Sequence, residues 1–378
     1  MNIIIDGRPF VASSAGISTF LKCSVQAWAK ECPSDRFVVA LPRNLDDTFS
    51  ADAMPENVTF VKKTNAILQR LPNLVWLNMV FPVLVRKYKA DVFYSALPCI
   101  PFFMPRKVKK VIVVHDVVNI EHASTMVWTN RLSNFLFFNR SVKNADVLWT
   151  NSYYTKQRVK DYFPDIKCKE IFTGCAIDNH VYHRLHIADE ERAQLFAKYN
   201  IKGDFLFFVG SLEPRKNLEF LLSIQPELYR RTGKQLVIVG AKAWHSSSLK
   251  TIVETTDFPI ESVVFCKFVP DSDLVKLYNL ASCFVSTSLN EGFGMPQLEA
   301  LYCGCPVVTA HNSAMIEVAE GKTGAYTVEG YKAESWISAI EKALEEHQEP
   351  REEQLKEYDW TRILKRFIQK IYCHENSH

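Results

Sequence analysis

The chain has 378 residues, 47% of them hydrophobic and 23% charged, with a net charge of +3. That length exceeds one ordinary core and fits two domains of roughly two hundred residues or fewer, with the composition of a soluble globular protein. The small charge excess favours no partner class, so no nucleic-acid partner is expected. No run reaches the roughly 18 to 20 apolar residues of a spanning helix.

Short β-branched or aromatic runs alternate with helix-period segments along most of the sequence. In the first half the predicted strands are "NIIID", "RFVVAL", "VTFVK", "DVFYS", "KVIVVHD", "DVLWTNS" and "KEIFTG". The interval from Ile177 to Lys202 is polar and carries no strand pattern, so the domain junction is expected there, with an amino-terminal domain over residues 1–185. In the second half the strands are "DFLFFVGS", "QLVIVGA", "SVVFCKF", "SCFVSTS" and "PVVTA", separated by helices such as "NLEFLLSIQPELYRR" and "DSDLVKLYNLA". This alternation predicts an α/β protein of parallel sheets with helices on both faces, in which ligands bind beyond the carboxyl ends of the strands. No GxGxxG follows the first strand, which disfavours a nicotinamide or flavin enzyme. The ten cysteines form no CxxC or Cys/His zinc spacing, and the chain opens directly on a strand, so reduced thiols in a cytosolic protein are expected.

The segment Ser288–Val308, "SLNEGFGMPQLEALYCGCPVV", holds the densest chemistry. Two glycines end the strand, Pro296 suits a first helical turn and Gly304 suits a helix stop, so a short helix is predicted to begin just after Gly294. Its first amides lack intrahelical acceptors and form a cradle for a phosphate. Glu291 and Glu299 flank that cradle. A bare phosphate site would avoid carboxylates, whereas a ligand with a diphosphate between two polyols would engage both, because ionised carboxylates accept hydrogen bonds from diols. Such a ligand is a sugar nucleotide.

"GSLEPRKN", the segment from "FVPDSDLVKLYNLASCFVSTSLNEGFGMPQ" to "LEALYCGCPVV", and "AMIEVA" resemble the carboxyl-terminal half of the family 4 retaining nucleotide-sugar glycosyltransferases. "VHDVVN" and "TNSYYTKQRV" resemble the bacterial mannosyltransferase branch. The resemblance implies a GT-B fold of two Rossmann-like doubly wound domains facing across a cleft. It places an acceptor-binding domain first, a donor-binding domain at 186–355, and a helix over 356–378 returning to the first domain. It further implies that Arg215 and Lys216 hold the diphosphate, that Glu299 holds the ribose hydroxyls and that Glu291 holds the donor sugar. The amides of Gly292, Phe293, Gly294 and Met295 would surround sugar and phosphate, with Ser211, Val269 and Leu298 completing the donor set. His115 would touch the donor sugar, and Gly16 would bring backbone to the diphosphate.

Blander readings stand beside these. Arg215 and Lys216 also suit a solvated basic turn, His115 a satisfied structural histidine, Gly16 a flexible loop, and Asp116 either ring orientation or acceptor binding. "DSD" at 271–273 reads as helix-start acids rather than a metal string, so no metal or cofactor is expected.

The function implied is transfer of a hexose, mannose from GDP-mannose, to a glycan or polyprenol-linked acceptor in bacterial surface polysaccharide synthesis. A UDP- or dTDP-sugar donor, an epimerase and a non-catalytic sugar-nucleotide-binding protein are the alternatives. Between Lys62 and Lys110 ten Lys or Arg face the single acid Asp91, interleaved with Trp76, Phe81, Pro82, Tyr88 and "PCIPFFMP". These are either core residues among solvated lysines or a basic, apolar-tipped face on an anionic cytoplasmic membrane surface.

Overall fold

The computed structural model describes residues 1–11, 15–45, 54–62, 72–117, 120, 135–166, 168, 170–211, 213–240, 258–346 and 348–372. They fall into two compact units, Met1–Ala176 with Tyr358–His378, and Ile177–Glu357. Residues 177–185, placed with the first domain on sequence, cluster with the second unit. There Leu185 N donates to Asn279 Oδ1 (2.8 Å), Asn279 Nδ2 donates to His183 O (3.1 Å), and Arg184 pairs with Glu349.

The strands of the first unit are β1 (Asn2–Asp6), β2 (Arg36–Leu41), β3 (Val58–Lys62), β4 (Val92–Ser95), β5 (Lys109–Val114), β6 (Val147–Thr150) and β7 (Glu170–Thr173). They form one parallel sheet in the order β3-β2-β1-β4-β5-β6-β7. β1 is central, with Ile3 level with Phe37 on one side and Val92 on the other, and Ile3, Ile4 and Ile5 are buried. A strand covered on both faces has no polar alternation, which is why "NIIID" reads as a continuous apolar run. Helices α1 (Ala15–Glu31) and α2 (Asn73–Tyr88) follow β1 and β3, and α3 (Tyr153–Tyr162) follows β6.

The second unit has β8 (Phe205–Val209), β9 (Gln235–Val239), β10 (Val263–Cys266), β11 (Cys283–Ser286), β12 (Val307–Ala310) and β13 (Ala325–Val328), ordered β10-β9-β8-β11-β12-β13 and again parallel. Sequence reading missed β13. "AYTV" lies at the sheet edge with only Val328 buried, so it lacks the apolar run that marks its neighbours. The helices used below are α4 (Leu218–Thr232), α5 (Asp271–Leu280), α6 (Met295–Tyr302), α7 (Met315–Ala319) and α8 (Ala333–Glu346). The last helix, α9 (Trp360–Tyr372), returns to the first unit. Its buried Trp360, Ile363, Leu364, Phe367 and Ile371 recur at helical spacing. Phe367 packs against Trp28 of α1 (5.2 Å between ring centres) and Trp149 of β6 (4.3 Å).

All nine cysteines among the described residues are free thiols. Asp271 and Asp273 lie in the first turn of α5, where Asp273 Oδ2 accepts from Lys198 Nζ and Tyr199 OH, both at 2.7 Å.

In each sheet the chain reverses direction of winding at one place, between β1 and β4 and between β8 and β11. Loops leaving the carboxyl ends of those strands diverge to opposite faces and leave a crevice, the usual ligand position in this architecture. Gly7, at the end of β1, has no room for a side chain: a Cβ there would sit 2.7 Å from Ala40 O and Leu41, and 2.8 Å from Val39. Gly16, at the start of α1, would meet nothing within 4 Å. Gly7→Ala should therefore destabilise the protein by about 1–3 kcal/mol, the usual cost of overpacking, while Gly16→Ala should leave the chemical-denaturation midpoint almost unchanged. Equal midpoints for both variants would contradict the packing assigned to Gly7.

Candidate functional site

The switch point of the second sheet is built by two loops. After β8 the chain turns through a single 3₁₀ turn, Pro214–Lys216, and Asn217 enters α4 with φ 51°. After β11 it runs through Thr287 to Glu291 and the glycine turn. Thr287 Oγ1 donates to Lys216 O (3.2 Å) and Asn217 O (3.1 Å), and Leu289 N donates to Arg215 O (2.7 Å), so each loop fixes the other.

These ties bring Arg215, Lys216 and Glu291 into one cluster. Arg215 Nη1 donates to Glu291 Oε2 (2.8 Å), Lys216 Nζ donates to Glu291 Oε1, and Ser288 Oγ donates to the same Oε1 (2.7 Å). Arg215 also donates to Glu213 Oε2 (2.7 Å). Lys216 and Glu291 are buried. Burial alone would raise the Glu291 pKa, but Lys216 and Arg215 outweigh it and hold the carboxyl below its ordinary range. The Glu291 backbone is fixed as well: its N–H donates to Ser313 Oγ (3.1 Å), and Ser313 takes a left-handed φ of 49°, uncommon for serine. Asn312 Nδ2 (3.2 Å) and Tyr331 OH (2.8 Å) both donate to Ser288 O.

α6 begins where the sequence predicts, at Met295 after Gly294. Gly294 has φ 105°, and a Cβ there would lie 3.0 Å from Gln297 Oε1, so both conformation and space call for glycine. Phe293 is buried beside the turn. Leu298 is buried in the core and its N–H donates to Gly294 O (3.2 Å), which leaves neither its side chain nor its amide open. Ser211 is exposed beyond β8, and Val269 is buried in the loop after β10.

Glu299 lies one turn into α6. Its Oε2 accepts from Tyr278 OH of α5 (2.8 Å). Part of the residue stays accessible, but the carboxylate is enclosed, and desolvation pushes its pKa up to about 7 although the Tyr278 hydrogen bond and the more distant Lys216 oppose the rise. Burial with the Glu299 charge beside it holds Tyr278 firmly protonated. The partners Ser313 and Tyr278 meet the glutamates from about twenty residues away, through fold contacts that no local spacing signals, whereas Ser288, three residues before Glu291, was within reach of a sequence reading.

In the first unit His115 follows β5. Its Nε2 faces Ala96 O (2.9 Å) and its Nδ1 faces Asn151 Nδ2 (2.9 Å), so the ring donates through Nε2 and accepts at Nδ1. Phe20 packs edge-on against it at 5.0 Å, and burial lowers its pKa to about 4. His115 is thus a neutral ring held by two hydrogen bonds. Gly16 is exposed at the other side of the same sheet's switch point. That crevice also holds a cluster the sequence reading passed over: Arg8 chelates Asp6 (Nε–Oδ1 2.9 Å, Nη2–Oδ2 2.6 Å), and Ser95 Oγ of β4 donates to Asp6 Oδ2 (2.9 Å). Its signal, "DGRP" at the end of the first strand, was present.

Residues 191–359 match the family described as Glycosyl transferases group 1. The chain is 27% identical over 215 residues to the serotype-specific mannosyltransferase WbdA of Escherichia coli, covering 56% of this chain but 26% of that protein. It is 26% identical over 240 residues to O-antigen chain mannosyltransferase B of Escherichia coli, covering 62% of this chain and 60% of the relative. The chain therefore spans about a quarter of the first relative and less than two thirds of the second. Among solved structures, HepE of Anabaena in complex with UDP and glucose superposes with a TM-score of 0.66 at 17% identity, over 98% of this chain and 99% of that one. The fold is thus GT-B, with two Rossmann-like units.

Glu299 gives a stability test with a defined sign. Its folded pKa lies above the ordinary carboxyl value, so the stability it contributes is full below about pH 4.5 and is lost as pH rises through about 7. Glu299→Gln should gain stability over the wild type at pH 8, up to about 3 kcal/mol, and the gain should vanish near pH 4. A gain that is the same at both pH values in urea titrations would contradict the enclosure of this carboxyl. Glu291 has the opposite sign: its folded pKa is depressed, so its contribution is present at neutral pH and is lost as pH falls below about 4. Glu291→Gln should cost on the order of 3 kcal/mol at pH 7, because it leaves buried Lys216 without its carboxylate.

Proposed function

We propose, from the premise that residues 191–359 form a group 1 glycosyl transferase domain, that the protein is a retaining hexosyltransferase using a sugar nucleotide. The observation that carries this is the convergence of Arg215, Lys216 and Glu291 at the β8/β11 switch point, beside the N-terminal end of α6.

On this reading the donor diphosphate takes over Arg215 and Lys216 from Glu291. The freed carboxylate then accepts hydrogen bonds from the donor sugar, with the Gly292–Met295 amides around sugar and phosphate. Glu299 accepts from the ribose hydroxyls, with Ser211 and Val269 lining the donor site and the buried Leu298 supporting the turn from behind. In the reaction the bond from C1 of the sugar to the β-phosphate oxygen breaks, and a bond from C1 to the acceptor oxygen forms on the same face. The acceptor's proton passes to the departing phosphate oxygen. Arg215 and Lys216 stabilise the charge that grows on that phosphate. His115, neutral at pH 7, is unsuited to a proton transfer, and a hydrogen bond from it to the sugar would require exchange of its Ala96 or Asn151 partner, while Gly16 lets backbone approach the diphosphate. No metal or cofactor enters this scheme.

Mannose from GDP-mannose is the proposed donor, because the two curated relatives are described as mannosyltransferases. UDP-glucose is the second candidate, since a structural neighbour was solved with UDP and glucose. The proposed acceptor is a glycan of surface polysaccharide synthesis, carried on a polyprenol at the anionic cytoplasmic face of the membrane.

Calorimetry with GDP-, UDP-, dTDP- and ADP-sugars tests the donor. GDP-mannose should bind most tightly, and preference for another nucleotide would overturn that part. Lys216→Ala and Arg215→Ala should each lower turnover roughly a hundredfold or more, as loss of one oxyanion donor does. A folded Lys216→Ala enzyme with near-normal turnover would contradict the assignment.

A further inference from the structure

Apart from Asn73, Asn78 and its basic carboxyl end, α2 is apolar. Trp76, Leu77, Val80, Phe81, Leu84 and Val85 are buried against the sheet of the first unit. The opposite face carries Val75, Met79 and Val83, which stay 43%, 54% and 48% exposed. A helix that is hydrophobic all round is normally covered all round, and a row of apolar side chains at intervals of four residues is a single stripe, not scattered exposure. The loop after β4 extends the stripe. Phe102 N donates to Asn78 Oδ1 (2.6 Å), which pins the loop beside α2, and Phe102 and Phe103 are 41% and 76% exposed.

The charges around this stripe have one sign. Arg86, Lys87 and Lys89 end α2, Arg106 and Lys107 follow the phenylalanine loop, and all five are exposed. Between residues 72 and 107 the only acid is Asp91, which accepts from Asn2 N (2.7 Å). Lys109 and Lys110, read from sequence as part of a basic face, are engaged elsewhere: Lys109 Nζ donates to Ile371 O (2.6 Å) and Lys110 pairs with Asp146 (2.7 Å). Positions 63 and 70 of that basic stretch lie outside the described residues.

We propose that this face docks on an anionic lipid bilayer, with Val75, Met79, Val83, Phe102 and Phe103 entering the headgroup–acyl boundary and the five exposed cations meeting the lipid phosphates. An apolar stripe flanked, among the described residues 72–107, by five exposed cations and the one hydrogen-bonded acid Asp91 is complementary to a bilayer of anionic lipid. The benefit of docking rests on the transferase reading, since a polyprenol-linked acceptor would share the surface; the docking itself does not.

Co-sedimentation of the full chain with vesicles tests it. The protein should pellet with equimolar phosphatidylglycerol and phosphatidylcholine, stay in the supernatant with phosphatidylcholine alone, and be released by salt. Arg106→Gln and Lys107→Gln should each weaken binding about fivefold, the factor that ~1 kcal/mol per basic residue near such a surface corresponds to. Met79→Glu, on an exposed position, should abolish binding without changing the thermal melt, and Lys216→Ala should bind as the wild type does, which separates docking from catalysis. Phe103→Trp should shift its emission to the blue on anionic vesicles. Equal recovery in the supernatant with both vesicles at low salt would overturn the proposal, as would binding with no Phe103→Trp shift. A dimer dissolved by Met79→Glu, with no vesicle binding, would give the face to a second copy and overturn it too.

Discussion

Burying an ionised carboxylate costs several kcal/mol unless cations and hydrogen bonds replace its water. At Glu291 that replacement is complete: Arg215 and Lys216 take one oxygen each, and Ser288 adds a hydrogen bond to the second of these. The rest of the carboxyl-terminal unit is arranged to keep these groups together. Thr287 and Leu289 tie the β11 loop to the turn that carries the two cations, and Ser313 and Tyr331 fix the backbone on either side of the carboxylate. Three residues around this crevice, Asn217, Gly294 and Ser313, take left-handed φ values. Such conformations persist only where surrounding contacts enforce them.

The switch point of the amino-terminal sheet has the same ingredients with a different outcome. Asp6, the last residue of β1, is held by Arg8 from the 3₁₀ turn that follows and by Ser95 on the neighbouring strand, and all three are buried. That carboxylate is satisfied within its own unit, by a base only two residues away in sequence. In the second unit the cations sit on a loop and Arg215 remains partly accessible. Both bases are carried on a 3₁₀ turn just after a strand, and the two pairs differ in accessibility, Arg215 being more exposed than Arg8.

Most of the fold was legible because inner parallel strands, buried on both faces, leave continuous apolar runs, as β1, β2, β4, β6, β8, β9, β11 and β12 do. β13 is not legible because "AYTV" is a four-residue edge strand that holds one aliphatic β-former, Val328, whereas the edge strand β3 still carries two valines and a phenylalanine. The start of α6 was legible from Gly294 and Pro296, whose backbone requirements act locally. Burial of the Glu291 carboxylate between Arg215 and Lys216 was not, since the two loops are more than seventy residues apart and only the β8–β11 pairing makes them neighbours. For the same reason His115 was weighed as a sugar contact without sight of Ala96 and Asn151, which engage both ring nitrogens.

Glu299 and His115 are perturbed by one cause, desolvation, acting on groups of opposite charge. Burial removes the negative charge from Glu299 in part and the positive charge from His115 entirely, because each loses more by leaving water than its hydrogen bonds return. Near pH 7 His115 is fixed as neutral, while Glu299 is balanced between its two forms. A ligand that donates hydrogen bonds to Glu299 would favour ionisation and release a proton, whereas one that accepts from it would favour the acid. The ionisation of this helix is consequently set by what occupies the crevice, and Tyr278, unable to lose its own proton beside it, acts only as a donor.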